Sequence, residues 1–431
     1  MTKADVIVAG GGLAGAAAAL RLGQAGQRVT LLEAQARLGG RAFSRAFRKL
    51  GPELEFGGSW ITPWHHRLRA LVAEHGLGLR PRHPVTRRMW LREGVLHADS
   101  PAAPADVTAH ERAIARVAID AILLKKGCSE NEAGQALRGI SFEAYLDRLA
   151  CPASTRSLFS AWWTVSGNGD HATVAASEFL ASCAYDNGLA EGMIRFWSDT
   201  VTPGMGSLAE RMIAASGARV ILSSPVTAIT QMPDGVTVTA GGTSHHAKGV
   251  ILALGLNQLK TLQFAPPLSQ AKQGAIGLGH GGRSFKLWIR AEGVPAGTLV
   301  TGNGRGIEFA FAERMADDGS TLIVAFGLTG KDNHPEDFAW VKAQAETLFP
   351  NARILSHDWH DWVEDPFARG TWVAALAGHE AGFDPENWKP EGAVAFASSD
   401  YARDQAGWFE GAVISGEDAA EAMLKLMRTA G

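Results

Sequence analysis

Cysteine and tyrosine are the rare residues of this sequence: each occurs three times in 431 residues. The three thiols, Cys128, Cys151 and Cys183, are too few and too scattered for a disulfide scaffold or a zinc ribbon, and they suit a reducing compartment. No run approaches the roughly 18–20 apolar residues that a membrane span needs. Neither sign of charge dominates. Lys and Arg total 41 against 44 Asp and Glu, a net of −3, which excludes a generally basic nucleic-acid binder and a polyacidic solvating chain. Internal repeats, low-complexity linkers and a heptad register are lacking too. No leader is expected, because residues 5–9 already read as a buried strand. These absences leave a globular chain, expected in the cytoplasm, with no membrane and no nucleic acid among its partners.

What is abundant is glycine and tryptophan. Fifty glycines exceed the usual share of about 7% and suggest backbone that approaches a ligand closely. Thirteen tryptophans suggest a large aromatic-lined cavity or a bulky core. Hydrophobic residues at 46% suffice for a large interior.

The N-terminal stretch is the most legible. Residues 5–9 form an apolar run that ends in Gly10-Gly11-Gly12-Leu13-Ala14-Gly15, an alanine-rich helical pattern runs to about residue 25, and residues 28–33 form a second apolar run. That order is a βαβ unit. Near the other end, residues 392–398 read as a strand and 409–427 as a helix. Between them, residues 105–200 look mainly helical. Residues 219–254 hold three strand candidates, two of them joined through Met232-Pro233-Asp234-Gly235. Residues 285–289 and 321–326 are further strand-like runs, with Asp317-Asp318-Gly319 as a turn. A nucleotide-binding unit split between the termini implies two interleaved domains.

Gly10-x-Gly12-x-x-Gly15 follows a strand and opens a helix, the context in which such a motif binds a dinucleotide. Gly10 permits the tight turn, Gly12 lets the backbone approach a pyrophosphate, and Gly15 lets the helix pack on the strand. The helix N-terminus adds unpaired N–H groups and a positive dipole end. Glu33, at the end of the second strand, stands where an acid grips ribose hydroxyls and would repel the extra phosphate of NADP.

The residues that follow discriminate between nicotinamide and flavin. Glu33-Ala-Gln-Ala-Arg37-Leu-Gly39-Gly40-Arg41 resembles the extended flavin motif of the flavin-containing amine oxidase family, the monoamine oxidase-like group. Phe56-Gly57-Gly58-Ser59-Trp60 resembles that family's second glycine turn, which passes near the flavin ring. Pro203 to Arg211, Ser224-Pro225-Val226, Phe396-Ala-Ser-Ser-Asp400 and Gly407-Trp-Phe-Glu-Gly-Ala-Val413 resemble its later motifs, so the resemblance runs nearly full length. It implies an α/β fold: a Rossmann-like FAD domain of the GR2 type (1–72, 203–282 and 380–431) interleaved with a sheet-plus-helices substrate domain (73–202 and 283–379). It assigns Gly10, Gly12, Ala14, Gly15, Glu33, Arg41, Gly58, Ser59, Val226, Asp400 and Phe409 to FAD.

The same resemblance marks residues near the chemistry. Lys286 sits in an apolar strand, where an ammonium is costly to bury. Unaided, it reads as a strand-edge lysine reaching solvent. Its position matches the family lysine that holds a water at the reactive flavin nitrogen. Thr371 stands where monoamine oxidases carry a flavin-bonded cysteine, so FAD is expected to be non-covalent. Trp372 and Trp408 replace the two tyrosines of the family's aromatic cage, and their π-faces suit an amine. Trp60 and the pair Trp162-Trp163 are assigned to the substrate pocket, although core packing accounts for the pair equally well. The arginines between 80 and 92 read as a solvated basic face. The adjacent pairs His65-His66 and His245-His246 lack the spacing of a metal site, and no metal is expected.

Three classes of function follow. The leading one is an oxidase in which an amine gives a hydride to FAD and dioxygen reoxidises the flavin to yield peroxide. A carbon–carbon desaturase or protoporphyrinogen-oxidase-like enzyme is the alternative on the same frame, and a non-catalytic FAD module ranks last. Among amines, an L-amino-acid substrate would call for an arginine soon after Gly57-Gly58. Ser59-Trp60-Ile61-Thr62 stands there instead, which favours an amine without an α-carboxylate. Oligomeric state is open, a homodimer being one option.

Overall fold

Val6–Ala9 alternates its side chains between two packed faces, and this sets the first half of the molecule. Val6 and Val8 pack with the helices Leu13–Gln24, Met205–Ala215 and Phe409–Thr429. Ile7 and Ala9 pack on the other side, against the four-stranded sheet formed by Val226–Met232, Gly235–Ala240, Thr243–Ala247 and Gln263–Ala265. In this computed structural model, which describes residues 4–125, 132–184, 197–302 and 305–429, the central sheet is parallel. Its order is Val394–Phe396, Gly249–Leu252, Val6–Ala9, Val29–Leu32, Arg219–Ile221. A strand from near the C-terminus thus completes a sheet begun at the N-terminus. Cys128 lies outside the described residues, as do parts of the 105–200 stretch.

The second half is built on a seven-stranded sheet. Its order is Arg353–Trp359, Ser284–Glu292, Thr321–Leu328, Phe309–Met315, Thr298–Thr301, Arg87–Arg92, Val95–His97. Neighbours run antiparallel except Thr298–Thr301 with Arg87–Arg92. The twofold alternation of Ser284–Glu292 decides what each face holds. Phe285, Leu287 and Ile289 pack under the helix Phe338–Leu348. Trp288 turns the other way, into a core shared with the helices Val107–Lys125, Phe142–Leu149, Ala153–Trp163 and Ala176–Ala184. Lys286, two residues before Trp288, takes that same inner face.

The stretch 219–254 holds five strands where the apolar pattern marks three. Thr243–Ala247 is mostly exposed and polar, an edge strand without a buried stripe, and Arg219–Ile221 is too short to show a period. The expected hairpin does form, with Met232 paired to Gly235 across Pro233-Asp234.

Candidate active site

A cavity of about 800 Å³ runs between the two halves. It reaches from the Gly10–Ala14 turn, past Glu33 and Val226, to Lys286, Trp372 and Trp408.

At one end the wall is backbone. Gly10 has φ +106°, and a Cβ there would collide with the Ala253 carbonyl; a Cβ on Gly15 would collide with that of Gly10. Those two glycines are explained by the protein's own packing. Gly12 is different: its backbone is extended, and a Cβ would meet nothing closer than Gly39 O and Gly40 Cα at 3.8 Å. Nothing among the described residues demands glycine there. A ligand lying against the backbone would, and the helix that begins at Leu13 has no side-chain cap to occupy its N–H groups. The residues present therefore fit a pyrophosphate.

Glu33 closes this turn. Its Oε2 accepts the Gly11 N–H at 2.6 Å and its Oε1 the Gln35 N–H at 2.8 Å. Burial pushes its carboxyl above the ordinary range, against the pull of those N–H groups and Arg37. Ser224, whose N–H donates to Glu33 O at 2.8 Å, brings Pro225 and Val226 to the wall beside it.

In the middle, Arg41 and Asp400 pair at 2.6 Å, the carboxylate being fully buried. Arg41 also donates to Thr371 O at 2.6 Å and Ser399 Oγ at 3.1 Å, while Asp400 Oδ2 accepts the Leu256 N–H at 2.8 Å. Burial works to raise the Asp400 carboxyl, yet Arg41, His280 and the Leu256 N–H together hold it below the usual range. The pair pins three distant segments, at 41, 371 and 400, around the cavity. Phe409 packs over Gly58, where a Cβ would collide with its ring, so both line the wall.

Lys286 Nζ donates to Gly57 O at 2.8 Å and to Ser59 Oγ. An ammonium has three N–H groups, so one stays available to the cavity that Lys286 lines. Burial pulls the amine down to about 8, opposed by Glu55 and Glu313. Glu55 is itself fixed by the Met205 N–H at 2.7 Å and Ser44 Oγ at 2.8 Å. The ammonium also lies 5.4 Å from the Trp60 ring and 5.6 Å from the Trp288 ring.

Trp372 and Trp408 line the same cavity, each half-buried. Their backbones lie side by side, since a Cβ added to Gly407 would stand 4.0 Å from Trp372 Cβ. Trp372 Nε1 donates to Ser166 O at 3.3 Å, and Trp408 packs edge-on against buried His65 at 5.2 Å. Thr371 Oγ1 donates to Asn168 Oδ1 at 2.7 Å.

Trp60 also lines the cavity, stacked on Trp197 at 4.3 Å with Phe326 beside it. Trp162 and Trp163 do not. Trp163 is fully buried, stacked on Phe142 at 4.0 Å with its Nε1 donating to Gly169 O at 2.6 Å, and Trp162 packs on Phe159. They sit on the helix Ala153–Trp163 and turn into the core, so their assignment to the pocket is corrected. Trp197, Phe326, Val165 and Glu178 line the wall without any sequence signal having marked them. Strand alternation and the 3.6-residue period carry them there only once the partners of each element are known.

A family model described as flavin containing amine oxidoreductase matches residues 13–424, and the chain belongs to that family. It is 32% identical to (S)-6-hydroxynicotine oxidase of Paenarthrobacter nicotinovorans, over 97% of this chain and 99% of that one. It is 28% identical to pseudooxynicotine dehydrogenase of a Pseudomonas species, over 96% and 85%. Its fold matches that of a putrescine oxidase solved with putrescine bound, at a TM-score of 0.86, covering 98% and 99% at 22% identity. The protein is thus an FAD-dependent enzyme of amine oxidation. No helix among the described residues is long and apolar enough to cross a membrane.

Proposed function

We propose that this enzyme oxidises an amine without an α-carboxylate, held between Trp372 and Trp408, and passes the electrons to dioxygen, so that peroxide and an imine leave the site. The observation that carries this reading is the placing of two indoles and one buried lysine on the wall of a single, largely apolar cavity. FAD, when bound, accepts a hydride from the carbon beside the substrate nitrogen. Gly12, the first turn of the helix Leu13–Gln24, Glu33 and Val226 would hold its nucleotide part, and Gly58, Ser59, Arg41, Asp400 and Phe409 the part nearer the chemistry. The described residues lining the cavity include neither a cysteine, a histidine nor a tyrosine, which supports FAD held without a covalent tether.

The chain's own contribution is positional. An amine reacts unprotonated, so that its lone pair stabilises the developing iminium. Two indole faces align the carbon–nitrogen bond and offer that lone pair little hydrogen bonding in competition. Alignment of this kind lowers the barrier by several kcal/mol, on the order of the effects measured for oriented reactants. The free N–H of Lys286 holds a water for imine hydrolysis or for the return of the flavin to its oxidised state.

Arginine placement supports an amine over an amino acid. Among the described residues, the arginines lining the cavity are Arg41, engaged by Asp400, and Arg369, which is exposed; none comes from the 80–92 cluster. A peroxide-coupled screen of amines against amino acids, on the purified yellow protein, tests the reading. Turnover of L-amino acids in preference to amines would overturn it. Amine turnover without peroxide would overturn only the choice of dioxygen as acceptor, and the cytoplasm is the proposed place of reaction.

A further inference from the structure

Glu178 stands in the first turn of the helix Ala176–Ala184, whose Ser177, Ala181 and Ser182 also line the cavity. Its Oε1 accepts the Ala375 N–H at 3.1 Å, and Ala175 N donates back to Ala375 O at 2.9 Å, so the helix is fastened to the segment that leaves Trp372. At roughly 3.5 Å per residue, the three residues from Trp372 to Ala375 place that N–H within about 11 Å of the Trp372 backbone. The second oxygen, Oε2, accepts no hydrogen bond from the described residues. Glu178 keeps part of its surface open, and what it opens to is the cavity.

A carboxyl in this position serves neither packing nor an ion pair. The same cavity wall also carries Val165, Ala181 and Val373, and an aliphatic side chain at 178 would cost nothing to desolvate. Among the described residues no cation acts on it. The one charge that does is Glu380, a like charge whose Oε1 accepts the Gly139 N–H at 2.9 Å. Burial, opposed by the Ala375 bond and reinforced by Glu380, pushes the group up to about 7. With no partner among the described residues, a ligand group is what would pair with this carboxyl.

We propose that Glu178 is a second recognition point for the substrate, selecting amines that carry another cationic nitrogen several bonds from the one oxidised between Trp372 and Trp408. The inference rests on the amine-oxidising reading of those two indoles and adds the substrate's far end to it. An ammonium reaching Glu178 would take the open Oε2 and keep the carboxyl ionised. A bare alkyl tail would bury an unpaired acid instead, and this difference discriminates between substrates of equal length.

The test uses the holoenzyme with three amines matched in length: an α,ω-diamine, the n-alkylamine, and an amine ending in a methyl ether. Wild type is expected to show kcat/KM at least tenfold higher for the diamine than for the alkylamine. Glu178→Leu should collapse that ratio at least tenfold, mainly through the KM of the diamine. Glu178→Gln, which retains an oxygen for the Ala375 N–H, should collapse it as well and guards against a folding defect in the leucine variant. Equal losses for all three amines would make Glu178 a structural tie between helix and loop and overturn the proposal. A wild-type preference for the ether would also overturn it, in favour of a protonated acid that donates. Should wild type oxidise none of the three, the proposed holding of an unbranched amine between Trp372 and Trp408 fails by itself. The subsite is then still decided by the melting temperature of the holoprotein under argon, which the diamine should raise in wild type and not in the variants.

Discussion

Asn168 holds Trp372 from the far side of the chain: its Nδ2 donates to the Trp372 carbonyl at 2.6 Å, while its Oδ1 accepts from Thr371 Oγ1 at 2.7 Å and Ser284 N at 2.8 Å. One fully buried amide thereby fixes the indole that lines the cavity and the start of the strand that carries Lys286. Asn168→Ala would leave a buried carbonyl, hydroxyl and N–H without partners, each worth about 1–3 kcal/mol. Non-additivity reduces the sum, and a loss near 3 kcal/mol is expected. Urea unfolding of the holoprotein measures it, and anaerobic flavin reduction should slow as Trp372 loses its anchor. Unchanged stability would remove Asn168 from this role.

Trp372→Ala and Trp408→Ala should each lower the limiting rate of anaerobic flavin reduction by amines, about tenfold or more, beyond any change in binding. Stopped-flow absorbance gives that rate directly. If it survives both substitutions, the two indoles do not hold the reacting amine.

Lys286→Met should slow flavin reoxidation or imine hydrolysis while anaerobic reduction by substrate continues. The two half-reactions are separable by stopped flow. Reoxidation at the wild-type rate would leave Lys286 with a structural part only, in its bonds to Gly57 and Ser59.

FAD should come free into the supernatant when the protein is denatured by acid or heat. Yellow colour retained in the precipitate would reveal attachment through a residue outside the described cavity wall. Glu33→Ala should lower flavin occupancy after dialysis, since the ribose loses an acceptor worth roughly 1–3 kcal/mol.

His280 gives a pH dependence whose sign is fixed. Burial lowers its imidazole to about 4, with Arg41 and Lys260 adding to the effect and Asp400 opposing it. Between about 6.5 and 4 the unfolded chain binds a proton that the folded protein refuses, so stability is lost as pH falls through that window. The loss from this one group is about 2 kcal/mol between pH 7 and pH 5, at 1.36 kcal/mol per pH unit. In His280→Gln the slope from this group disappears, so the stability advantage of wild type over the variant should shrink by that amount. Unfolding curves at the two pH values check it, and an unchanged difference would mean that His280 titrates in the folded protein as it does in the unfolded chain.

Local chemistry wrote the proposed nucleotide end of the site into the sequence. Gly10, Gly12 and Gly15 act through their own backbone, and Glu33 through the adjacent turn, so their order along the chain suffices to reveal them. Lys286, Trp372 and Trp408 were legible by resemblance, not by pattern, because a lysine in an apolar strand or a tryptophan in a loop has no local signature of its role. Only the tertiary structure decided the rest. Trp162 and Trp163 are as conspicuous in the sequence as Trp60, yet the face that the helix Ala153–Trp163 turns inward puts them in the core, while Trp60 reaches the cavity. Glu178 and Asn168 lie far in sequence from Ala375 and Trp372, and each gains its meaning from a partner that the chain brings back about 200 residues later. Spacing along a sequence records which neighbours a residue has within a turn or a strand; it carries no record of which distant backbone will meet a side chain across a cavity.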